Sequence, residues 1–173
     1  MDILALDNVD FRYGGLKAVS GLSMRVAEGS ITSLIGPNGA GKTTIFNLIS
    51  GSLRPESGRI FFRGRPIERL SAHRIAALGV GRTFQNIKLF EHLSVREHVE
   101  LARYLGGESS FFGEVFGLPA ALRDARRRKA AAEETLAFLG LGDVADFRAV
   151  DLPYGLQRRL EFGRALAMNA KLL

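Results

Sequence analysis

Between residues 34 and 46 the chain reads LIGPNGAGKTTIF, and this stretch restricts the possible folds more than any other. It gathers three glycines, a lysine and two threonines between apolar flanks. Gly36, Gly41, Lys42 and Thr43 satisfy the spacing G-x-x-x-x-G-K-[ST] of a phosphate-binding loop. Gly36, Gly39 and Gly41 permit backbone conformations closed to a side chain and bring successive N–H groups against phosphate oxygens. A helix is expected next, because Ile45, Leu48 and Ile49 recur at the spacing of one helical face. Its positive end adds to the attraction for an anion. Lys42 is read as the cation for the β and γ phosphates, and Thr43 as a hydroxyl ligand of Mg²⁺. ITSLI, residues 31 to 35, is a β-rich apolar run bounded by Gly29 and Gly36, the pattern of a buried parallel strand. A glycine-rich turn before an ordinary helix needs neither Lys nor Thr in register after four free positions.

With 173 residues, 46% of them hydrophobic, the chain has enough material for one domain, or one domain carrying a small subdomain. No apolar run approaches the roughly 18 residues that span a bilayer. The start, MDILALDNVD, has acids where a signal peptide carries cations, and the protein is read as cytosolic. Cysteine is absent, excluding disulfides, thiolate metal sites and cysteine nucleophiles together. His73, His92 and His98 do not form a ligand cluster and are read as solvated surface residues. The net charge of +6 raises nucleic acid as a partner. Much of that charge sits in the helix-prone segment 122 to 134, where Arg123, Arg126, Arg127, Arg128 and Lys129 precede Glu133 and Glu134. Such a flank is read as a solvated face, with acidic loops, lipid headgroups and nucleic acid as the alternatives.

The first thirty residues read as short antiparallel strands broken at Gly14 and Gly15, with Leu22, Met24 and Val26 alternating with polar residues. Tyr13, just before the break, is a candidate platform for an adenine ring. ESGRIFFRGRPI (56 to 67) reads as a strand or hairpin, and SAHRIAALGVG as a short helix closed by Gly79 or Gly81. RTFQN reads as a short strand running out at Gln85. LSVREHVELARYL predicts a helix opened by a capping box, Ser94 to Glu97, with Val95, Val99 and Ala102 along one face. Residues 106 to 119 mix glycine with phenylalanine at no clean period, and are read as packing within the helical region in preference to meeting a membrane-embedded partner. A long helix from about Pro119 to Leu139 and a loop follow. In VDLPYGLQRRLEFGRALAMN (150 to 169), Leu156, Leu160, Gly163 and Ala167 line one side of a helix whose first turn falls at Pro153, Tyr154 and Gly155. A helix start rich in free N–H groups is again an anion site.

With both motifs in view the sequence resembles the nucleotide-binding subunits of ABC transporters, and more narrowly the ATPases of branched-chain amino acid importers. GGLKAV, GVGRTFQNIKLFEHLSVREHVELA and LPYGLQRRLEFGRALA carry the resemblance, which covers essentially the whole chain. It implies an α/β fold: a P-loop NTPase core with an N-terminal antiparallel β subdomain and an inserted α-helical subdomain. The implied division is 1–88 for core, β subdomain and phosphate loop, 89–165 for the helical subdomain with the signature, and 166–173 for the return into the core.

By the same resemblance Tyr13 is the adenine platform, and Gly36, Pro37, Asn38, Gly39, Ala40, Gly41, Lys42, Thr43 and Thr44 cradle ATP. Gln85 reaches Mg²⁺ and the attacking water, making Lys42 and Gln85 the catalytic residues and Thr43 and Gln85 the metal contacts. The signature LSGGQ lines up with Leu152, Pro153, Tyr154, Gly155 and Leu156, followed by Gln157. In the family this segment caps the γ-phosphate held by the opposite subunit, so two protomers sandwich two ATP molecules head to tail. Pro153 replaces the signature serine, and Leu156 takes the place of a glutamine. The implied partners are a homologous ATPase subunit, membrane permease subunits and, indirectly, a periplasmic or extracellular substrate-binding protein, at the cytoplasmic face of the cell membrane. Nucleic acid is not expected. A stand-alone ABC ATPase working on nucleic acid or ribosomes, and a nucleotide-gated interaction module without catalysis, are the rival readings.

The family continues past this point into an apolar strand ending in Asp-Glu, the Walker B strand, and a later switch histidine. The chain stops at Leu173. It is therefore expected to be a fragment that, by itself, hydrolyses ATP negligibly and is poorly stable, with the central part of the parallel sheet absent.

Overall fold

A computed structural model of the protein describes residues 1–83, 88–105 and 119–173. The chain divides into two compact units, Met1–Leu78 and Gly79–Leu173.

The first unit is built on strand β1 (Asp2–Tyr13). Its run Ile3, Leu4, Ala5, Leu6 is buried on both faces, as suits a central strand. Strand β2 (Leu16–Ala27) returns antiparallel after the Gly14–Gly15 turn, with Tyr13 opposite Leu16 and Leu4 opposite Val26. In β2 the predicted alternation holds: Val26 is buried and Leu22 and Met24 are half-buried, each flanked by exposed residues. Strand β3 (Ser57–Phe62) pairs with the other edge of β1, and the two-residue β4 (Arg65–Pro66) pairs with β3, giving the order β2-β1-β3-β4. Asp10 ties this sheet together. Its carboxylate accepts from Lys17 Nζ at 2.7 Å, the Gly21 N–H at 2.9 Å and the Ser57 hydroxyl at 2.9 Å. These donors, Lys17 first, lower its pKa to about 2. Helix α1 (Lys42–Ile49) buries Ile45, Leu48 and Ile49, the predicted face, and Thr44 as well. Helix α2 (Ala72–Ala77) stops where Gly79 adopts φ 103°, one of the two expected stops.

Among the described residues the second unit packs three helices: α3 (Val95–Leu105), α4 (Pro119–Phe138) and α5 (Tyr154–Ala167). Its core joins Val95, Val99 and Ala102 of α3 to Ala132 and Leu136 of α4 and to Leu160 and Ala167 of α5. Leu141, Ala145, Ala149 and Leu152 come from the connection, which folds into two 3₁₀ turns, Gly142–Val144 and Ala149–Asp151. Burying Leu136, Leu141 and Leu160, each 0% exposed, stabilises the unit by about 1.5–3 kcal/mol apiece. The helices approach closely at Gly163, where a Cβ would stand 2.2 Å from Leu139 Cδ1. Residues 79–81 join this unit because Lys171 N–H donates to Gly79 O at 2.7 Å and Gly81 N–H to Leu172 O at 2.8 Å, making a parallel bridge between Val80 and Leu172.

Two expectations are corrected. ITSLI forms no strand: residues 31 to 35 have no regular structure, with Ile31 100% and Ile35 90% exposed. A strand exists through its ladder partners, and among the described residues none pairs with this run. His98 is not a solvated surface residue. It is 1% exposed, because both ring nitrogens find backbone partners inside the fold. His73 and His92 are exposed, as expected. Gln85 and the expected strand end around it, together with residues 106–118 of the phenylalanine-bearing segment, lie outside the described residues.

Candidate functional site

Helix α1 starts on a residue that only glycine accommodates. Gly41 is its N-cap at φ 80°, ψ 5°, in the left-handed region, and a Cβ there would stand 2.4 Å from the carbonyl oxygen of Ala18 on β2. No side chain caps this helix, and no acid lies in its first turn. Its leading N–H groups therefore lack the side-chain acceptor that a helix start ordinarily recruits. Lys42 lies over the loop, with Nζ donating to Gly36 O at 2.6 Å and Pro37 O at 2.7 Å. Neutral carbonyls orient the ammonium without cancelling its charge, so the loop stays electropositive. Ala40 N–H closes a turn onto Pro37 O at 3.2 Å, while Pro37, Asn38, Gly39 and Ala40 are all exposed. Gly39 sits at φ 87°, and a Cβ added there would meet nothing within 4 Å. Of the two threonines, Thr43 is exposed and Thr44 is 7% exposed, so only Thr43 presents itself to solvent.

Tyr13 is at the tip of the β1–β2 hairpin, 49% exposed, and braced edge-on by Phe11 with ring centroids 4.9 Å apart at 83°. Its cross-strand neighbour Leu16 is two residues from Ala18, the residue against which the phosphate loop packs. Two residues of strand amount to about 7 Å. The aromatic face and the electropositive loop thus share one end of the sheet.

In the second unit, α5 begins with Pro153 as N-cap at φ −52°, ψ 144°, again with no side-chain cap and no acid in the first turn. Proline therefore stands one place before the helical turn in which it was expected. Tyr154 is 65% exposed, and its hydroxyl accepts from Arg158 Nε at 2.9 Å while the guanidinium carbon lies 5.4 Å from the ring centroid. Gly155 is exposed, and an added Cβ would meet nothing within 4 Å. Leu156 turns inward and packs on the helical core. Gln157 turns back as well: its amide nitrogen donates to Val150 O at 3.1 Å and Leu152 O at 2.9 Å, stapling the approach segment onto the helix. The exposed part of the expected signature segment is thus Pro153, Tyr154 and Gly155.

Several roles escaped the sequence reading. Gln157 acts on the loop, Arg158 braces Tyr154, and Glu161, 8% exposed, accepts from Arg158 at 2.9 Å. The spacing i to i+4 from Tyr154 to Arg158 and i to i+3 from Arg158 to Glu161 was the available signal. The start of α3 is closed, by contrast. Ser94 N–H donates to Glu97 Oε2 at 2.7 Å and Glu97 N–H to Ser94 Oγ at 3.2 Å, the predicted capping box.

A family model described as ABC transporter matches residues 19–173. The high-affinity branched-chain amino acid transport ATP-binding protein BraF of Pseudomonas aeruginosa is 39% identical over 171 residues, covering 99% of this chain and 67% of that protein. Among solved structures, an ATP-binding cassette of an ABC transporter in its ADP conformation superimposes with a TM-score of 0.79 at 31% identity, over 98% of this chain and 66% of that one. The dimeric structure of a post-hydrolysis ATP-binding cassette bound to ADP and Pi gives a TM-score of 0.76 at 26% identity, over 96% of this chain and 70% of that one. The chain spans about two thirds of the length of the relatives it matches.

Proposed function

The chain belongs to the ABC transporter family, and from that premise we propose that it is the ATP-binding part of an importer that couples ATP hydrolysis to uptake of branched-chain or related amino acids. The observation that carries the reading is the α1 start: an uncapped helix N-terminus, a left-handed glycine and a lysine held by two carbonyls. Those features make a cradle for a polyphosphate. Nucleotide would draw Lys42 Nζ from Gly36 O and Pro37 O onto the β and γ phosphates, while the N–H groups of residues 39–44 face phosphate oxygens. Tyr13 would stack on the adenine.

Mg²⁺ suits the donors present. Among the described residues no group of three His, Asp or Glu side chains could hold a metal ion, and Mg²⁺ characteristically takes one or two protein oxygens together with substrate phosphates and water. The exposed Thr43 hydroxyl supplies one such oxygen, and Gln85 is proposed as the second contact. When bound, the ion neutralises charge developing on the phosphates. Pro153, Tyr154 and Gly155 are proposed to meet the γ-phosphate of a second, head-to-tail ATPase subunit. The open space around Gly155 among the described residues supports this. Leu156 and Gln157 support the segment from behind. Permease subunits, a substrate-binding protein and a peripheral place at the cytoplasmic membrane face complete the proposal; the name of the Pseudomonas relative supports the substrate class.

Uptake of radiolabelled leucine in cells whose only such ATPase carries Lys42→Ala tests it. Transport should fall to background while the subunit still accumulates. Undiminished uptake would refute the reading.

A further inference from the structure

Ahead of α3, residues Lys88 to Leu93 have no regular secondary structure, yet α3 and α5 grip them at defined points. His98 of α3 donates from Nδ1 to Ser94 O at 2.8 Å and accepts the Phe90 N–H on Nε2 at 2.9 Å. One ring nitrogen donates and the other accepts, which fixes the neutral Nδ1–H tautomer. From α5, Arg164 reaches across to donate to Lys88 O at 2.7 Å, with its guanidinium carbon 5.7 Å from the Phe90 ring centroid. The Phe90 ring also lies against the imidazole, with centroids 5.6 Å apart at 34°.

We infer that His98 and Arg164 form a proton-sensitive clasp that fixes segment 88–93, which follows Gln85 along the chain, onto the face made by α3 and α5. A proton on Nε2 would set N–H against the Phe90 N–H, two donors facing each other, and would place a cation in a buried site beside Arg164. Both effects open the clasp. They are positioning residues, which hold Lys88 and Phe90 of that segment.

The charged groups around the imidazole leave this balance in place. Burial, the largest cause, and Arg164 hold the His98 pKa below its ordinary 6.5, while the Ser94 carbonyl and Glu97 oppose them. Glu97 is already engaged by the Ser94 N–H and hydroxyl. On α4, Glu133 pairs with Arg96, and on the segment itself Lys88, Glu91 and His92 are exposed. Since the closed form has the lowered pKa, the clasp is fully formed above pH 6.5 and loosens as pH falls below it.

The consequence for turnover rests on the reading of Gln85 given above, but the clasp is tested without nucleotide, so the two can fail separately. Amide hydrogen exchange in the full chain, followed by NMR as pH is lowered from neutrality, compares the Phe90 and Val99 amides after correction for intrinsic exchange. Coupling to one proton makes Phe90 protection fall about tenfold per pH unit below the ordinary histidine value, while Val99, inside α3, keeps its protection. His98→Gln offers one donor and one acceptor without titrating, and its Phe90 protection should not vary with pH. A flat wild-type profile, a parallel loss at Val99, or an unchanged slope in His98→Gln would each overturn the clasp.

Discussion

Helix α3 begins with Ser94 and Glu97 occupying each other's backbone N–H groups, whereas α1 begins on Gly41 with no side-chain acceptor and a lysine where an acid would be favoured. An N-cap side chain is worth about 1 kcal/mol. At α1 that stabilisation is forgone, and the donors it would have occupied are left for something else. The start of α5 follows α1: Pro153 caps nothing, no acid follows, and the neighbouring Gly155 faces open space. The closed start of α3 holds the fold, and the open starts of α1 and α5 are where function is proposed.

The largest effect should come from giving the open start of α1 a side chain. Gly41→Ala places a Cβ 2.4 Å from Ala18 O at a left-handed φ, for a loss of about 2–4 kcal/mol of stability in urea melts, together with impaired nucleotide binding. A wild-type melt for this variant would remove the steric basis of the comparison. Next comes the staple behind the α5 start. Gln157→Ala strands the Val150 and Leu152 carbonyls and should cost about 1–2 kcal/mol.

Removing the closed cap is milder: Ser94→Ala should lower stability by about 1 kcal/mol and leave nucleotide affinity unchanged. An equal drop in affinity would show that closed and open starts are not functionally distinct. The smallest effect is acid-dependent. The Ser94 N–H, and then its hydroxyl, hold the Glu97 carboxyl below its ordinary 4.5. Its folded pKa is thus the depressed one, so the box contributes fully above pH 4.5 and is lost as pH falls through the lowered value. Helix content measured by far-ultraviolet circular dichroism should show that acid-dependent component, and Glu97→Gln should lack it.

Much of this was legible because it is local. The phosphate loop is fixed by spacing within eight residues, the α3 cap by Ser94 and Glu97, and the faces of α1, α3 and α5 by periodicity. ITSLI misled because its apolar composition satisfied the pattern of a buried strand, while a strand is made by its neighbours in the sheet. His98 misled for a related reason. Its burial is matched by hydrogen bonds to the backbone N–H of Phe90 and the carbonyl of Ser94, though its place at the border of the Val95–Val99–Ala102 stripe was a visible hint. The resemblance puts Leu156 and Gln157 at the signature, yet one packs on the core and the other bonds the approach loop; likeness of sequence alone did not show where they point.

The central claim is that the open start of α1 holds a polyphosphate, and calorimetric titration of the chain with ATP in the presence of Mg²⁺ tests it most directly. Saturable binding is predicted, weakened about 10- to 100-fold in Lys42→Ala by loss of one charge-assisted contact and undisturbed in Ser94→Ala. Absence of binding by the folded chain, or the same affinity in Lys42→Ala as in the wild type, would contradict it.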